Sequence, residues 1–419
     1  MQLKRRNFIR LTALAAAAGI ARPKSSLANP AFPPALAGSL NNVSPISLEE
    51  RQSRVEKAQR LMTELKYDAM KIDCGTSLEY FLGIGWWPSE RPMVAIIPAK
   101  GDVRYVCPAF EEARLREVSR IGKTVYAWQE DENPYKLVAN AFRDIGHVNT
   151  VAVEERLRFF ILDGVKKETS GISYVSGVPV TMPCRLIKSA AEIALMQKAN
   201  DITSAGIKYG IGQMQEGISQ GDLADVISEA QQKLGGHSAD ALVLFGESSA
   251  FPHGSVKPRK LRKGDIVLMD CGCSVEGYTS DITRTIVFGD PTKRQTDIWN
   301  LEKKAQDAGF AAAKIGAACE EVDAAARKVI TDAGFGPGYK LPGLPHRTGH
   351  GIGLDGHEWT NFVKGNQTKL APGMCFSDEP MIAIPGEFGI RLEDDVYISE
   401  DGPQFFSKPS IAIDKPFAD

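Results

Sequence analysis

Neither sign of charge dominates this sequence: among 419 residues, 50 Lys and Arg stand against 52 Asp and Glu, a formal charge of −2. That balance argues against nucleic acid or any other partner held by bulk electrostatics. Long apolar runs are scarce as well. The uncharged, Ala-rich stretch from Leu11 to Ile20 is about half of the roughly 20 residues a bilayer span needs, so no stable membrane span is expected. No segment recurs at the period of about 20 to 50 residues that marks solenoids and propellers. Cysteine is sparse and odd in number. The seven, at 74, 107, 184, 271, 273, 319 and 375, have irregular spacings that fit neither a disulfide framework nor a zinc knuckle. They read as small buried apolar residues, with Cys271 and Cys273 on one face of an expected strand. An exported chain has room for one or two bridges among them, and the spacing singles out no pair. What remains is ordinary: 43 % apolar and 24 % charged, the proportions of a soluble globular chain. At roughly 150 residues per domain, the length suggests two or three.

The chain opens Lys4-Arg5-Arg6-Asn7-Phe8, followed by the Leu11 to Ile20 run and Ser26-Leu27-Ala28. A basic start, a short apolar stretch and a small-residue cleavage site are the parts of an export signal. The paired arginines resemble the twin-arginine type, whose substrates cross the membrane folded, which suits a chain that takes up metal beforehand. Residues 1–28 are therefore expected to be a cleaved signal, residues 29–44 a Pro- and Ala-rich linker, and the location periplasmic or exported.

Residues 45–185 alternate β-rich and helical runs. A charged helix over Leu48 to Leu65 precedes strands at Tyr67 to Asp73, Met93 to Pro98 and Val103 to Cys107, the last two joined by a turn at Ala99 to Asp102. Helices near Phe110 to Val118, Pro134 to Ile145 and Glu155 to Thr169 alternate with strands at Thr124 to Ala127 and Thr150 to Val153, an α/β domain. From residue 186 to 419 the texture changes. Helices at Ala190 to Met214 and Ser219 to Leu234, then Lys293 to Ile315 and Glu320 to Ala333, separate two β hairpins.

The first hairpin runs from Asp265 to Phe288 with its turn at Val275-Glu276 or Glu276-Gly277. Either turn puts Asp270 and Asp281 on the same face, directly opposite or diagonal, where two carboxylates repel unless a cation or a shared proton sits between them. The second runs from Met374 through Glu379 and Pro385-Gly386 to Arg391, Glu393 and Ile398. There Arg391 and Glu393 share a face. Between the hairpins, His346, His350 and His357 crowd a Gly-rich segment. Gly351-Ile-Gly353-Leu-Asp-Gly356 has the form of a dinucleotide fingerprint but lacks the strand before it and the helix after it. Four carboxylates with one histidine make a hard, oxygen-rich donor set. Such a set suits two divalent ions sharing a hydroxide, with manganese, cobalt, zinc or iron more natural than copper.

These residues in this order, Asp270-x-Gly272, Ser280-Asp281-Ile-Thr-Arg-Thr285, Gly349-His350-Gly-Ile-Gly353, Glu379-Pro380 and Arg391-Leu-Glu393-Asp394, resemble the pita-bread metallopeptidases. The closer likeness is to the proline-specific branch, aminopeptidase P and prolidase, which carries an extra N-terminal domain. The resemblance implies an α+β chain in which a creatinase-like α/β domain precedes a pita-bread catalytic domain, a curved antiparallel sheet with flanking helices. It further implies an Xaa-Pro aminopeptidase or dipeptidase acting on a proline-containing peptide through a metal-bridging hydroxide, and a homodimer or homotetramer. Two divalent metals are implied, manganese foremost. Asp270 would chelate one, Asp281 and Glu393 would bridge the pair, and His350 and Glu379 would hold the other. Glu379 would be the general base, His253 and His357 would steady the oxyanion, His346 would line the substrate pocket, and Arg391 at the substrate site would supply the cation for a free substrate carboxylate through a bidentate pair. Arg185-Leu-Ile-Lys188 resembles the family's lead into the catalytic domain, whereas Ser377-Asp378 departs from the small or apolar residues usual before Glu379. Trp86-Trp87 is either ordinary core or, by family analogy, the rim of a neighbouring subunit's pocket. Relatives on the same fold supply the alternatives, a creatinase-like C–N hydrolase without metal or a metal-dependent lyase on a small molecule. A binding module without catalysis would show itself by an empty metal analysis.

In a bacterium with twin-arginine export, the mature chain is expected to begin at Asn29. Replacing Arg5 and Arg6 by Lys should leave a precursor of full length in the cytoplasm, checked by N-terminal sequencing of each fraction.

Overall fold

The structure is a computed structural model that describes residues 43–417 apart from position 258. The expected signal and all but the end of the linker lie outside the described residues. The first half of the described chain is a layered α/β unit. Helix α1 (Leu48–Leu65) starts on Ser47, whose hydroxyl accepts from the Glu50 amide, and stops where Lys66 turns left-handed. Six strands follow: β1 (Ala69–Asp73), β2 (Val94–Pro98), β3 (Arg104–Pro108), β4 (Thr124–Trp128), β5 (Thr150–Val153) and β6 (Ser173–Ser176). They form one mixed sheet in the order β4-β3-β2-β1-β5-β6. The helices between them are α2 (Thr76–Leu82), α3 (Glu112–Val118), α4 (Pro134–Ile145), α5 (Phe159–Glu168) and α6 (Val178–Arg185). Helix α4 has Asn133 as its cap and Pro134 at its first turn, and it lays Val138, Ala141 and Phe142 on Ala69, Val94, Ile96 and Val106 of the sheet. Each expected strand here has a counterpart within about two residues, the usual fraying of boundaries. Helices α2 and α6 and strand β6 went unread, for α6 contains Pro183 and β6 is short with no buried residue.

The second half begins with α7 (Ala190–Gly212), closed by a capping box between Ser189 and Glu192, and α8 (Gln220–Lys233). Strands β7 (His237–Phe245), β8 (Ile266–Val275), β9 (Tyr278–Thr279) and β10 (Ile282–Val287) make one antiparallel sheet. Helices α9 (Lys293–Ala312) and α10 (Cys319–Asp332) follow, then β11 (Gly349–Gly351), β12 (Glu358–Phe362), β13 (Cys375–Asp378), β14 (Met381–Ile384), β15 (Phe388–Arg391), β16 (Asp394–Ser399) and β17 (Gly402–Phe405). Strands β12-β11-β13-β16-β17 form a five-stranded sheet, and β14 and β15 pair with each other. The apolar interior here is carried by Trp299, Ile382, Ile390 and Leu392 under α9, and by Val243, Phe245, Val267 and Met269 under α8. No described helix is long and apolar enough to cross a membrane. All seven cysteines are free, six of them buried and Cys74 half-buried. Trp87, 88 % exposed, is not core.

Two buried charges tie the elements together. Arg54 on α1 meets Glu192 on α7 at 3.2 Å and Tyr278 Oη at 3.2 Å, joining the two halves. Arg284 on β10 is fully buried, with Nη2 2.6 Å from Asp394 Oδ1 and further bonds to the carbonyls of Glu393, Lys408 and Pro416. Removing one member of such a pair leaves the other unpaired in a low-dielectric interior, which costs about 3–5 kcal/mol. Arg284→Met is expected to lower unfolding free energy by about that amount, read as a lower urea midpoint at unchanged slope.

Candidate metal centre

The first hairpin turns on Glu276-Gly277, both with positive φ, and its register pairs Val275 with Tyr278, Cys271 with Ile282 and Asp270 with Thr283. Asp281 is therefore the diagonal neighbour of Asp270 rather than its opposite. The second hairpin is two ladders in one register, β13 on β16 and β14 on β15, broken at residues 379–380 and 392–393. Carrying the register through the break sets Glu379 across from Glu393. The two hairpins meet where the Thr283 and Glu393 backbones bridge, and the Thr283 hydroxyl donates to Glu393 Oε2 at 2.6 Å. Two hairpins thus deliver four carboxylates to one place.

Strand β11 brings His350 to them. Its Nε2 lies 3.5 Å from Glu379 Oε1 and 3.7 Å from Asp281 Oδ2. Its Nδ1 donates to the Gly351 carbonyl at 3.1 Å, which leaves Nε2 a lone pair facing the acids. Burial, then His357 beside it, hold the ring at about 3, so it is neutral. The His357 ring stacks on His350 at 3.8 Å, and Arg347 Nη2 donates to its Nδ1 at 2.9 Å. Since a guanidinium can only donate, the proton of neutral His357 sits on Nε2, a ready hydrogen-bond donor.

Ligand atoms of Asp270, Asp281 and Glu393 lie within 4.8 Å of one another, as do those of His350, Glu379 and Glu393 and those of Asp281, His350 and His357. Two of these groups share Glu393. Burial, then Glu393 and Asp270, push Asp281 well above the carboxylate range; burial, then Glu379 and Asp270, do the same to Glu393. Glu379 is pushed up to about 7 by burial, against the pull of Arg391. Buried carboxylates that raise one another in this way call for added positive charge, and four oxygen donors with one imidazole nitrogen fit hard divalent ions. The residues present therefore fit a pair of such ions.

The cavity over this cluster measures about 520 Å³ and is lined by Pro252, His253, Tyr339, His346, Arg347 and Val363 besides the donors. Every residue expected at the site, Asp270, Asp281, His350, Glu379, Glu393, His253, His346, His357 and Arg391, lines it. Arg391 is buried and bound to its surroundings: it pairs with Asp270, donates to Thr283 Oγ1 at 3.1 Å and to the Pro252 carbonyl at 3.3 Å. Arg347 is the other guanidinium on the cavity and has no acidic partner among the described residues. His346 Nδ1 donates to the Arg347 carbonyl at 2.7 Å, and its buried Nε2 has no hydrogen-bond partner among the described residues.

Residues behind the donors escaped sequence reasoning. Asp395 Oδ2 accepts from the Asp281 amide at 2.9 Å and from Asn200 Nδ2 at 3.0 Å, and burial lifts its carboxyl to about 8. Glu302 and Asp378 are buried carboxyls without hydrogen-bond partners among the described residues, raised by burial and then by Asp378 and Asp394 respectively. Arg347, between His346 and the Gly349-His350 motif, had a signal in its position. Asp395, Glu302 and Asp378 had none, because their importance lies in what packs against them.

Glu358, next to His357, faces Arg185 and Lys188, with Lys188 Nζ 3.1 Å from Oε2. Although burial pushes its carboxyl up, Lys188 and Arg185 outweigh that and hold it at about 2, below an ordinary 4.5.

Residues 194–400 match Metallopeptidase family M24, and residues 54–187 match the Creatinase/Prolidase N-terminal domain. A Schizosaccharomyces pombe protein called an uncharacterized peptidase is 36 % identical over 383 residues, 86 % of this chain and 82 % of that one. Among solved structures, a prolidase from Thermococcus sibiricus superposes with a TM-score of 0.79 at 30 % identity, covering 85 % of this chain and 96 % of that one. An Xaa-Pro dipeptidase from Bacillus anthracis superposes at 0.77 with 27 % identity, covering 88 % and 99 %.

A depressed carboxyl stabilises the fold fully above its unfolded value and loses that contribution as pH falls through its folded one. From the shift at Glu358 the contribution is about 3 kcal/mol. The stability gap between wild type and Glu358→Gln is expected to be widest above pH 5 and to close progressively toward pH 2, measured by urea unfolding at each pH.

Proposed function

This chain belongs to metallopeptidase family M24, and on that premise we propose that it is a dinuclear hydrolase that cleaves the peptide bond preceding proline. The observation that carries the reading is the overlap of two three-residue donor groups at Glu393, beneath a cavity whose other walls are histidine, arginine and apolar side chains. Asp270 would hold one divalent ion, His350 and Glu379 the second, with Asp281 and Glu393 between them, and manganese, cobalt, zinc or iron suits the set. When bound, the ions supply Lewis acidity toward the scissile carbonyl and lower the pKa of the attacking water.

The chain's own groups do the rest. Glu379, within 4.8 Å of His350 and Glu393, takes the proton from the attacking water and returns one to the leaving prolyl nitrogen, a secondary amine that departs only when protonated. His357, held as the Nε2–H tautomer by Arg347, donates to the oxyanion as it forms, with His253, which also lines the cavity, as the second donor. An Xaa-Pro bond carries no amide N–H, so recognition must come from elsewhere. Tyr339, Pro345 and Val363 give an apolar wall for the ring. Arg391, expected as the cation for a substrate carboxylate, is paired with Asp270, whereas Arg347 has no acidic partner among the described residues and, beside its bond to His357, has guanidinium N–H groups to offer that carboxylate. The solved prolidase and Xaa-Pro dipeptidase with the same fold support this specificity.

The test is turnover of an Xaa-Pro dipeptide beside an Xaa-Pro-Xaa tripeptide, with an Xaa-Ala dipeptide as control, after loading with manganese. Cleavage of a proline substrate with the control left intact is expected, and Asp281→Asn and Glu393→Gln should each lose bound metal and more than about a hundredfold in kcat. Failure to cleave either proline peptide, or full metal content and activity in those two variants, overturns the reading.

A further inference from the structure

An ionic network at the seam between the two halves contains none of the five donor residues, yet it brackets the segment that carries His357. Arg185 closes α6, the last helix of the first half, and is only 8 % exposed. Its Nη2 lies 2.6 Å from Asp355 Oδ2 and also donates to Glu358 Oε1. Lys188 takes the other oxygen of Glu358. Asp355 Oδ1 accepts from Arg156 at 2.6 Å and from Thr76 Oγ1 at 2.7 Å, both from the first half, and the Asp355 amide closes the circuit on Glu358 Oε1 at 3.0 Å. The two acids stand two residues before His357 and one after it.

Other contacts hold the two ends of the segment: the Thr279 amide and hydroxyl donate to the Gly353 carbonyl at 2.8 and 2.9 Å, and the His357 ring rests on His350 and accepts from Arg347. Residues 353–357 are neither helix nor strand and include Gly353 and Gly356. A cavity of about 360 Å³, lined by Arg185, Asp355, His357, Glu358 and Trp359 among others, leaves one flank of the segment unpacked. At Gly353 the space is tight for a different reason: a Cβ there would meet Lys188 Cε at 2.7 Å and both Glu358 carboxylate oxygens at 3.0 Å. The backbone thus runs directly over the ion pair. Buried ion pairs of this kind add little net stability compared with apolar replacements, and their best-attested use is to fix one geometry among several.

We propose that Arg185 is a positioning residue: through Asp355 and Glu358 it sets the place and tilt of the His357 ring, which makes the N-terminal half a working part of the catalytic site. The proposal rests on the reading above in which His357 acts on the reacting carbonyl. Arg185 itself touches neither substrate nor donor residues. Displacing a group that contacts the transition state by about 1 Å costs about a hundredfold in rate and leaves ground-state binding largely intact.

The experiment is a double-mutant cycle on the metal-loaded enzyme with an Xaa-Pro dipeptide. Arg185→Met is expected to lower kcat by about 10- to 100-fold with KM and bound metal unchanged, and Arg185→Lys to recover part of the loss. In a His357→Ala background Arg185→Met should have no further effect, because the residue through which it acts is gone. Losses that multiply in the double variant, a change confined to KM or metal content, or no loss at all would each overturn the proposal. If Arg185→Met does not fold, Asp355→Asn, which keeps shape and removes charge, runs the same cycle with the same outcomes. Absence of Xaa-Pro cleavage by the wild-type enzyme would instead defeat the peptidase reading, and the two failures are read from different lanes of the same assay.

Discussion

Mutual repulsion among buried carboxylates is the constraint on which this structure turns. Asp270, Asp281, Glu379 and Glu393 converge from two hairpins, and Asp378, Asp394, Asp395 and Glu302 crowd in behind them. Such a concentration of negative charge works against compactness unless it is met by cations and fixed dipoles. Each nearby basic group can be understood as an answer to it. Arg391 lies against Asp270, Arg284 against Asp394, and the amide of Asp281 and the side-chain amides of Asn200 and Gln306 point at the second rank of acids. The divalent ions that the family binds would be the remaining part of the answer. On this view a pair of ions there would also be a structural keystone, and before any ion arrives the ladders hold together acids that burial and their neighbours keep largely protonated.

How legible this was from sequence depended on the range of the interaction. Hairpin parity is local, so Asp270 and Asp281 were assigned to one face without knowing the turn, and the Glu276-Gly277 turn then selected the diagonal arrangement. Long amphipathic helices such as α7 and α9 were read to within a few residues because their caps, Ser189 and Thr292, are local signals too. Helix α6 was missed because its two prolines argue against a helix, and it persists through packing of Val180 and Cys184. The role of Arg391 in binding Asp270 was hidden for a similar reason. Its strand neighbours predicted a shared face with Glu393 but said nothing of a residue 121 positions away. Asp355 and Glu358 carry no sequence signal, because their partners Arg185, Lys188 and Arg156 lie 170 to 199 positions away.

The two halves differ in what they contribute. The second half holds every donor atom, and the first holds none. The first half nevertheless reaches the site by two routes. Arg54 joins α1 to Glu192 and Tyr278, under the first hairpin, and Arg185 with Arg156 and Thr76 joins the sheet's far end to the segment before His357. Both use charged groups whose geometry is directional, which suits an element that must be set at a given angle rather than merely covered.

The second hairpin has a consequence for how such a site can change over evolutionary time. Its ladder is intact on either side of Glu379 and Glu393 and interrupted only at those residues, with the same register on both sides. The Pro385 to Glu387 tip is far from the break and free to vary in length, since an insertion there leaves both ladders untouched. One residue gained or lost between the ladders would turn an entire strand face over and carry one acid out of the cavity. Heritable variation in this region is therefore channelled: loops at the tip can drift and acquire new contacts, while the waist that carries the chemistry is closed both to a change of length and to loss of either acid.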